Sequence, residues 1–445
     1  MWGFVHTYSS GLVLHGYLTI HPDMHTNFTP VRPPKLSWDI FCQVIDNYGD
    51  IGVCWRLCAD LAQRGHLVRL WVDDASALRW MAPGALSGTT PNITVHDWTT
   101  ASQSDRLNAM TMADVWIEAF GCRIPDDFVQ YWVKQVQADT PQRKPPHWIN
   151  LEYLSAESYV EHSHGLQSPV MQGPAKGWIK HFYYPGFSHK TGGLLREPEL
   201  SAKRQHFDRN RWLGNLGIEF GEIQETIISL FCYEPPALKD YLTHLQDGPQ
   251  RTRLLVTAGR STSWVLTCLK AQATPKWPEP IQAQLTALER TPTAEPRHIS
   301  LGALTLSFLP SLTQTDFDHL LWSCDFNLVR GEDSLVRAIW AGVPFLWQIY
   351  EQEDLVHAEK LNAYLRMTQA PSSLANAHLW WNNLDMSLSQ GEASEGHRLL
   401  THYAAGERWK NWIQTFLERM QSQEDLVTGL LRFILKTSKM KGFAE

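Results

Sequence analysis

The chain has 445 residues, enough for two domains that each bury an apolar core, and its 43% hydrophobic and 19% charged residues exclude a disordered or fibrous polymer. A formal net charge of −7 excludes a general affinity for nucleic-acid backbone, which needs a clustered basic surface. Seven cysteines (Cys42, Cys54, Cys58, Cys122, Cys232, Cys268, Cys324) form no CxxC pair and have no histidines at zinc-ligand spacing, so they read as reduced thiols of a cytoplasmic protein.

In residues 1–35, Leu12, Val13, Leu14, Leu18 and Ile20 are apolar, but His15, Gly16 and Tyr17 interrupt them and no Lys or Arg precedes them. Neither a secretory signal nor a membrane span of about 20 apolar residues is met. The segment is expected to be an amino-terminal extension, with Met24 as an alternative start.

From Trp38 onward strands alternate with helices. Asp39 to Ile45 has strand length, Asn47 to Gly52 carries turn residues, and Val53, Leu57 and Leu61 recur at helical spacing until Gly65. Leu67 to Val72, Val115 to Phe120 and His147 to Leu151 are further strands, and the alternation predicts a parallel sheet covered on both faces. His162 to Arg196, rich in Gly, Pro and His, is expected to form long loops closing a first domain over 36–215.

A second α/β domain is expected over 216–400. Its strands are predicted at Gln224 to Phe231, Arg253 to Val256, Leu304 to Phe308, Phe326 to Val329 and Pro344 to Trp347. Helices are predicted at Pro236 to His244, Asp316 to Trp322 and Ser334 to Ala341, and 270–297 reads as a surface excursion. Over 401–445 two apolar stripes, Trp409 to Met420 and Leu426 to Ile434, predict helices that pack back across both domains.

Chemistry concentrates at two strand-to-helix junctions. In the first, Asp46, Asn47, Tyr48, Gly49, Asp50 and Gly52 follow a strand end, where α/β sheets place their ligands. Gly49 and Gly52 allow a tight turn, and the two carboxylates can hold an acceptor and supply a base, although Asp50 also reads as a plain helix cap. The GxGxxG pattern of dinucleotide sites is missing.

In the second, Phe326 to Val329 leads through Arg330, Gly331, Glu332, Asp333 and Ser334 into a helix ended by Gly342. Gly331 permits the sharp turn, Ser334 offers a hydroxyl and an N–H, and Arg330 with the helix amino terminus suits a phosphate. Glu332 and Asp333 would repel a diphosphate, so one is expected to accept from a ribose or sugar hydroxyl and the other to cap the helix. A charged cap with Arg330 paired to an acid is the plainer alternative.

The blocks WDIFCQVIDNYGDIGVCWRL (Trp38 to Leu57), LVRLWVDD (Leu67 to Asp74), PGF and KTGGLLRE (Pro185 to Glu197), SLFCYE (Ser229 to Glu234) and RGEDSLVRAIWAGVPFLWQIY (Arg330 to Tyr350) resemble the signature of the EarP family. The resemblance implies a GT-B fold, two Rossmann-like domains facing across a cleft. It also implies inverting, metal-independent transfer of L-rhamnose from dTDP-β-L-rhamnose to an arginine of translation elongation factor P, with no cofactor and no nucleic-acid or membrane partner.

By the same resemblance Asp50 is the catalytic base, Asp46 its companion on the acceptor guanidinium, and Glu332 the essential acid on the donor side. Arg330, Asp333 and Ser334 would meet ribose and diphosphate. Phe231 and Phe317 would hold the thymine, with Tyr233 and Gln314 nearby, and the two phenylalanines fit equally as core residues. SLFCYE is followed by Pro235 and Pro236, where the family often has an Asn before Pro. Two other readings stay open: another GT-B activity, whether a transferase for a different nucleotide sugar or an epimerase, and a non-catalytic binding protein on the same fold.

Overall fold

The computed structural model describes residues 35–45, 48–139, 143–219, 225–272, 277–290, 295–384 and 406–441. The proposed extension up to residue 34, including Met24, lies outside these residues, as do Asp46, Asn47 and the start of the predicted carboxyl-terminal helical stretch.

The first sheet contains β1 (Ser37–Cys42), β2 (Leu67–Val72), β3 (Ile93–Asp97), β4 (Val115–Ala119), β5 (His147–Leu151), β6 (Gln167–Pro169) and β7 (Ile179–Tyr183). Their order is β3-β2-β1-β4-β5-β7-β6, and every pairing is parallel except β6 with β7. Alternation along β1 shows why both faces are dry. Trp38, Ile40 and Cys42 pack with Ile51, Cys54, Leu57 and Leu61 of the helix Gly49–Gln63, while Phe41 packs with Phe128 and Trp132 of the helix Asp126–Ala138.

The second sheet contains β8 (Thr226–Leu230), β9 (Thr252–Val256), β10 (Arg297–Leu301), β11 (Leu304–Phe308), β12 (Phe326–Arg330) and β13 (Phe345–Gln348). The order is β10-β11-β9-β8-β12-β13, parallel apart from the β10–β11 hairpin. Each sheet reverses its winding once, between β1 and β4 in the first and between β8 and β12 in the second. Neighbouring connections leave to opposite faces at such a point and open a crevice beyond the strand ends, which is where ligands bind.

Two expectations need correction. The stretch His162 to Arg196 is not loop throughout: it supplies β6 and β7, and β7 buries His181 and Tyr183. Short strands set among glycines and histidines carry too few periods to register as alternation. Within 270–297, the helix Glu279–Arg290 buries Leu288 and half-buries Ile281 and Leu285, a helical stripe that the flanking Pro and Thr residues obscure.

The last two helices separate in their packing. Helix Glu407–Gln421 inserts Trp409, Trp412, Ile413, Phe416, Leu417 and Met420 into the core of the second sheet. Helix Leu426–Lys441 delivers Leu426, Val427, Leu430 and Ile434 to the core of the first. Fully burying each large side chain is worth about 1.5–3 kcal/mol, so this tail ties the two lobes together at its single turn. There Asp425 pairs with Arg64 at 2.8 Å. All seven cysteines are buried and none is in a disulfide. Among the described residues no helix is long and apolar enough to cross a membrane.

Candidate active site at the junction of the two lobes

At the carboxyl end of β1 the chain enters helix Gly49–Gln63, and Asp50 sits in its first turn, 3% exposed. Its Oδ2 accepts the backbone N–H of Ile45 at 2.9 Å, which folds the strand-end loop back onto the helix. Asp50 is not the helix cap: Tyr48 holds that position, and its side chain makes no capping bond.

The second junction is built on β12 and helix Gly331–Ala341. Gly331 has a φ of +68°, a conformation costly for residues with a Cβ, and this lets the strand turn directly into the helix. Ser334 closes the turn, its hydroxyl accepting from the Arg330 N–H at 3.1 Å and donating to the Arg330 carbonyl. Where a turn was predicted across Arg330 to Ser334, the helix therefore begins at Gly331, and the Ser334 hydroxyl already has backbone partners. The buried Arg330 guanidinium lies 4.6 Å from the Phe231 ring centre and 4.5 Å from that of Tyr233, a cation–π contact on two aromatic faces.

The expectation that Glu332 or Asp333 caps this helix fails, because both side chains have partners elsewhere. Glu332 accepts from the backbone N–H of Leu154 at 2.9 Å through Oε2 and from Lys360 Nζ at 2.6 Å through Oε1. Asp333 faces Arg56 Nε at 3.2 Å. Burial pushes the Asp333 carboxyl above the usual carboxylate range, against the opposing pull of Arg56 and Arg337.

Two cavities meet here. The first, about 890 Å³ with its open mouth, is lined by every residue expected on the donor side: Phe231, Tyr233, Gln314, Phe317, Arg330, Asp333 and Ser334. The second, about 850 Å³, is lined by Asp50, Phe120, Tyr153, Tyr350, Glu332 and Lys360, among others. Gly49, Gly331 and Glu332 line both, so the two spaces adjoin at the amino ends of the two junction helices. Phe231 and Phe317 are half-buried and touch edge to face, with ring centres 5.2 Å apart and planes at 68°. A flat base cannot be sandwiched between rings that already touch, so one exposed face or a parting of the rings is needed to take it.

Gln314, expected near the base, also donates to the Gly52 carbonyl at 2.8 Å and so bridges the lobes. Arg56, Lys360 and Tyr153 escaped the sequence reading. Arg56 had a signal, since a charge between Trp55 and Leu57 on a buried helix needs a partner. Lys360 and Tyr153 sit in segments without any local signature. Phe120 at the end of β4 has a φ of +57°, unusual for a bulky residue, and stacks on Tyr153 at 4.9 Å in the second cavity.

Residues 38–435 match the family model described as Elongation-Factor P (EF-P) rhamnosyltransferase EarP. The chain is 40% identical over 421 residues to a protein-arginine rhamnosyltransferase of Pseudomonas putida, covering 90% of this chain and 98% of that one. It is 37% identical over 415 residues to the protein of that description in Pseudomonas aeruginosa, covering 89% and 98%. A solved structure described as the basis for EarP-mediated arginine glycosylation of translation elongation factor EF-P superposes with a TM-score of 0.55 at 30% identity, covering 90% of this chain and 99% of that one. Two Rossmann-like lobes whose strand ends face a shared cleft constitute the GT-B fold.

Proposed function

Because the chain belongs to the EarP family of elongation factor P rhamnosyltransferases, we propose that it transfers L-rhamnose from dTDP-β-L-rhamnose to an arginine side chain of translation elongation factor P, inverting the anomeric carbon. The observation that carries this reading is the meeting of the two cavities at Gly49, Gly331 and Glu332. One holds groups suited to a nucleoside diphosphate, and the other holds Asp50. A sugar at their junction would expose its anomeric carbon to a nucleophile entering from the second cavity, with the diphosphate leaving into the first.

On the donor side Arg330 and the backbone N–H groups that open helix Gly331–Ala341 receive the diphosphate and the charge that develops as it departs. This assigns to the protein's own cation and helix dipole the work a metal does in other transferases, and the reading includes no metal and no cofactor. Asp333 and the turn at Ser334 face ribose and phosphate, while the half-buried faces of Phe231 and Phe317, with Tyr233 and Gln314, take the thymine.

On the acceptor side the guanidinium, with a pKa above about 12, is a weak nucleophile until it is polarised. Asp50 accepts its proton as the carbon–nitrogen bond forms. Asp46 is kept as its companion on the sequence resemblance alone. Ile45, Tyr153 and Tyr350 are 69%, 38% and 50% exposed on the walls of the second cavity, an apolar approach for the segment of elongation factor P that carries the arginine. Glu332 spans the junction, held on both oxygens by Lys360 and Leu154, and orients the sugar or guanidinium hydrogens that reach it.

Mass spectrometry of elongation factor P incubated with enzyme and dTDP-β-L-rhamnose should show one added deoxyhexose on an arginine; an unmodified partner, with donor intact, would refute the proposal. Glu332→Gln should lower kcat by about 10²–10³-fold, a loss typical for one preorganised polar group at a reacting centre. Its affinity for dTDP, measured by calorimetry, should change by less than about threefold, because the diphosphate contacts assigned above do not involve this carboxylate.

A further inference from the structure

Arg56 stands one turn after Gly52 on helix Gly49–Gln63, which carries Asp50 in its first turn, yet most partners of its guanidinium, 5% exposed, lie in the other lobe. It donates to both oxygens of Asp318 at 3.2 and 3.1 Å and to the Gln314 carbonyl at 3.2 Å. It also approaches Asp333 at 3.2 Å and Glu197 at 3.5 Å. Arg337 holds the far edge of the same group, meeting Asp318 at 2.8 and 2.6 Å and Glu197 at 2.8 Å.

The balance of charge in this cluster is uneven. Three carboxylates (Asp318, Asp333, Glu197) share two guanidiniums, so full ionisation of all three would leave one negative charge in excess in a largely buried site. Glu197 is buried, but Arg337 and Arg56 hold it down to about 2. Asp333 is the member with room to change. Its side chain keeps 21% exposure and lines the donor cavity, and among the described residues its ion-pair partner is Arg56.

From this geometry we infer that Arg56 is a positioning residue that couples donor occupancy to lobe closure, by sharing the Asp333 carboxylate with the donor and drawing helix Gly49–Gln63, with Asp50, onto the donor-binding lobe. The inference rests on the donor assignment made above. A donor hydroxyl that hydrogen-bonds Asp333 stabilises its ionised form, and the ionised form attracts Arg56 more strongly. The Arg56 guanidinium then brings the whole helix with it, because Gly52, one turn earlier, already carries the Gln314 bridge. Linkage makes the effect reciprocal: closure through Arg56 must tighten donor binding by the same factor.

The test compares wild type, Arg56→Lys and Asp333→Asn in the full chain by calorimetry with dTDP, small-angle scattering with and without dTDP, and transfer kinetics. Lysine keeps the charge but lacks the planar fork that reaches Asp318 and Asp333 together. Arg56→Lys should bind dTDP about tenfold more weakly, in the ordinary range of coupling. Its kcat should fall about 10²-fold, as for misplaced reacting groups. Wild type should contract on adding dTDP and Arg56→Lys should not.

Asp333→Asn leaves two guanidiniums with two carboxylates, a balanced cluster, and so covers the case in which Arg56→Lys fails to fold; it too should lose the contraction. A purely structural role predicts a lower melting temperature with wild-type contraction and an unchanged kcat. That outcome, or normal contraction in Asp333→Asn, overturns the inference. Wild type that neither binds dTDP nor transfers removes the donor assignment and the inference with it, whereas normal wild-type transfer beside undisturbed variants removes the inference alone.

Discussion

Asp50→Asn should abolish transfer to arginine, with kcat falling by about 10³-fold or more, at the upper end of what one general base contributes. The dTDP affinity should stay within about twofold of wild type, since Asp50 lines the second cavity and is not among the residues of the first. The fold should survive for a specific reason: Asp50 accepts the Ile45 N–H, and an asparagine carbonyl oxygen accepts the same bond. What asparagine lacks is the negative charge to counter a guanidinium and a basic site for its proton. Kinetics by mass spectrometry, with circular dichroism and dTDP calorimetry on the same preparation, check the three parts together. Wild-type turnover in a folded Asp50→Asn protein would end the assignment.

Arg330→Ala is the second large effect, and it should appear in binding. Removing a buried guanidinium that meets a diphosphate costs about 2–3 kcal/mol, or roughly 10²-fold in the dTDP dissociation constant. The backbone of residue 330 still bonds to Ser334, so the turn itself should hold. Arg330→Lys should recover only part of the loss, because an ammonium cannot lie flat against both Phe231 and Tyr233. In a thermal-shift titration, saturating dTDP should raise the melting temperature of wild type and leave Arg330→Ala nearly unmoved at equal concentration. Equal stabilisation of both proteins would show that the diphosphate lies elsewhere.

How far these residues could be found without coordinates depended on how local their signals are. β2, β5 and β11 were placed to the residue because each is a short apolar run bounded by turn residues. The junctions at Asp50 and at Arg330 to Ser334 stood out because a strand end, a glycine and a helix start lie within a few positions of one another. The short strands β6 and β7 were missed, having no bounded apolar run. The partners of Glu332 and Asp333 were not legible either: a cap is the local solution for an acid at a helix start, whereas Leu154, Lys360 and Arg56 are remote in the chain.

From sequence alone came the alternation of elements, the two polar junctions at strand ends and the family resemblance, because turn chemistry and hydrophobic period act between residues that are neighbours along the chain. The facing of those junctions was decided only in three dimensions. Gly52 meets Gln314, and Arg56 meets Asp318 and Asp333, across separations of 262 to 277 residues. A contact of that range leaves no periodic trace in either segment, since it depends on how two sheets and a shared pair of terminal helices pack, and a buried charge such as Arg56 shows only that a partner must exist.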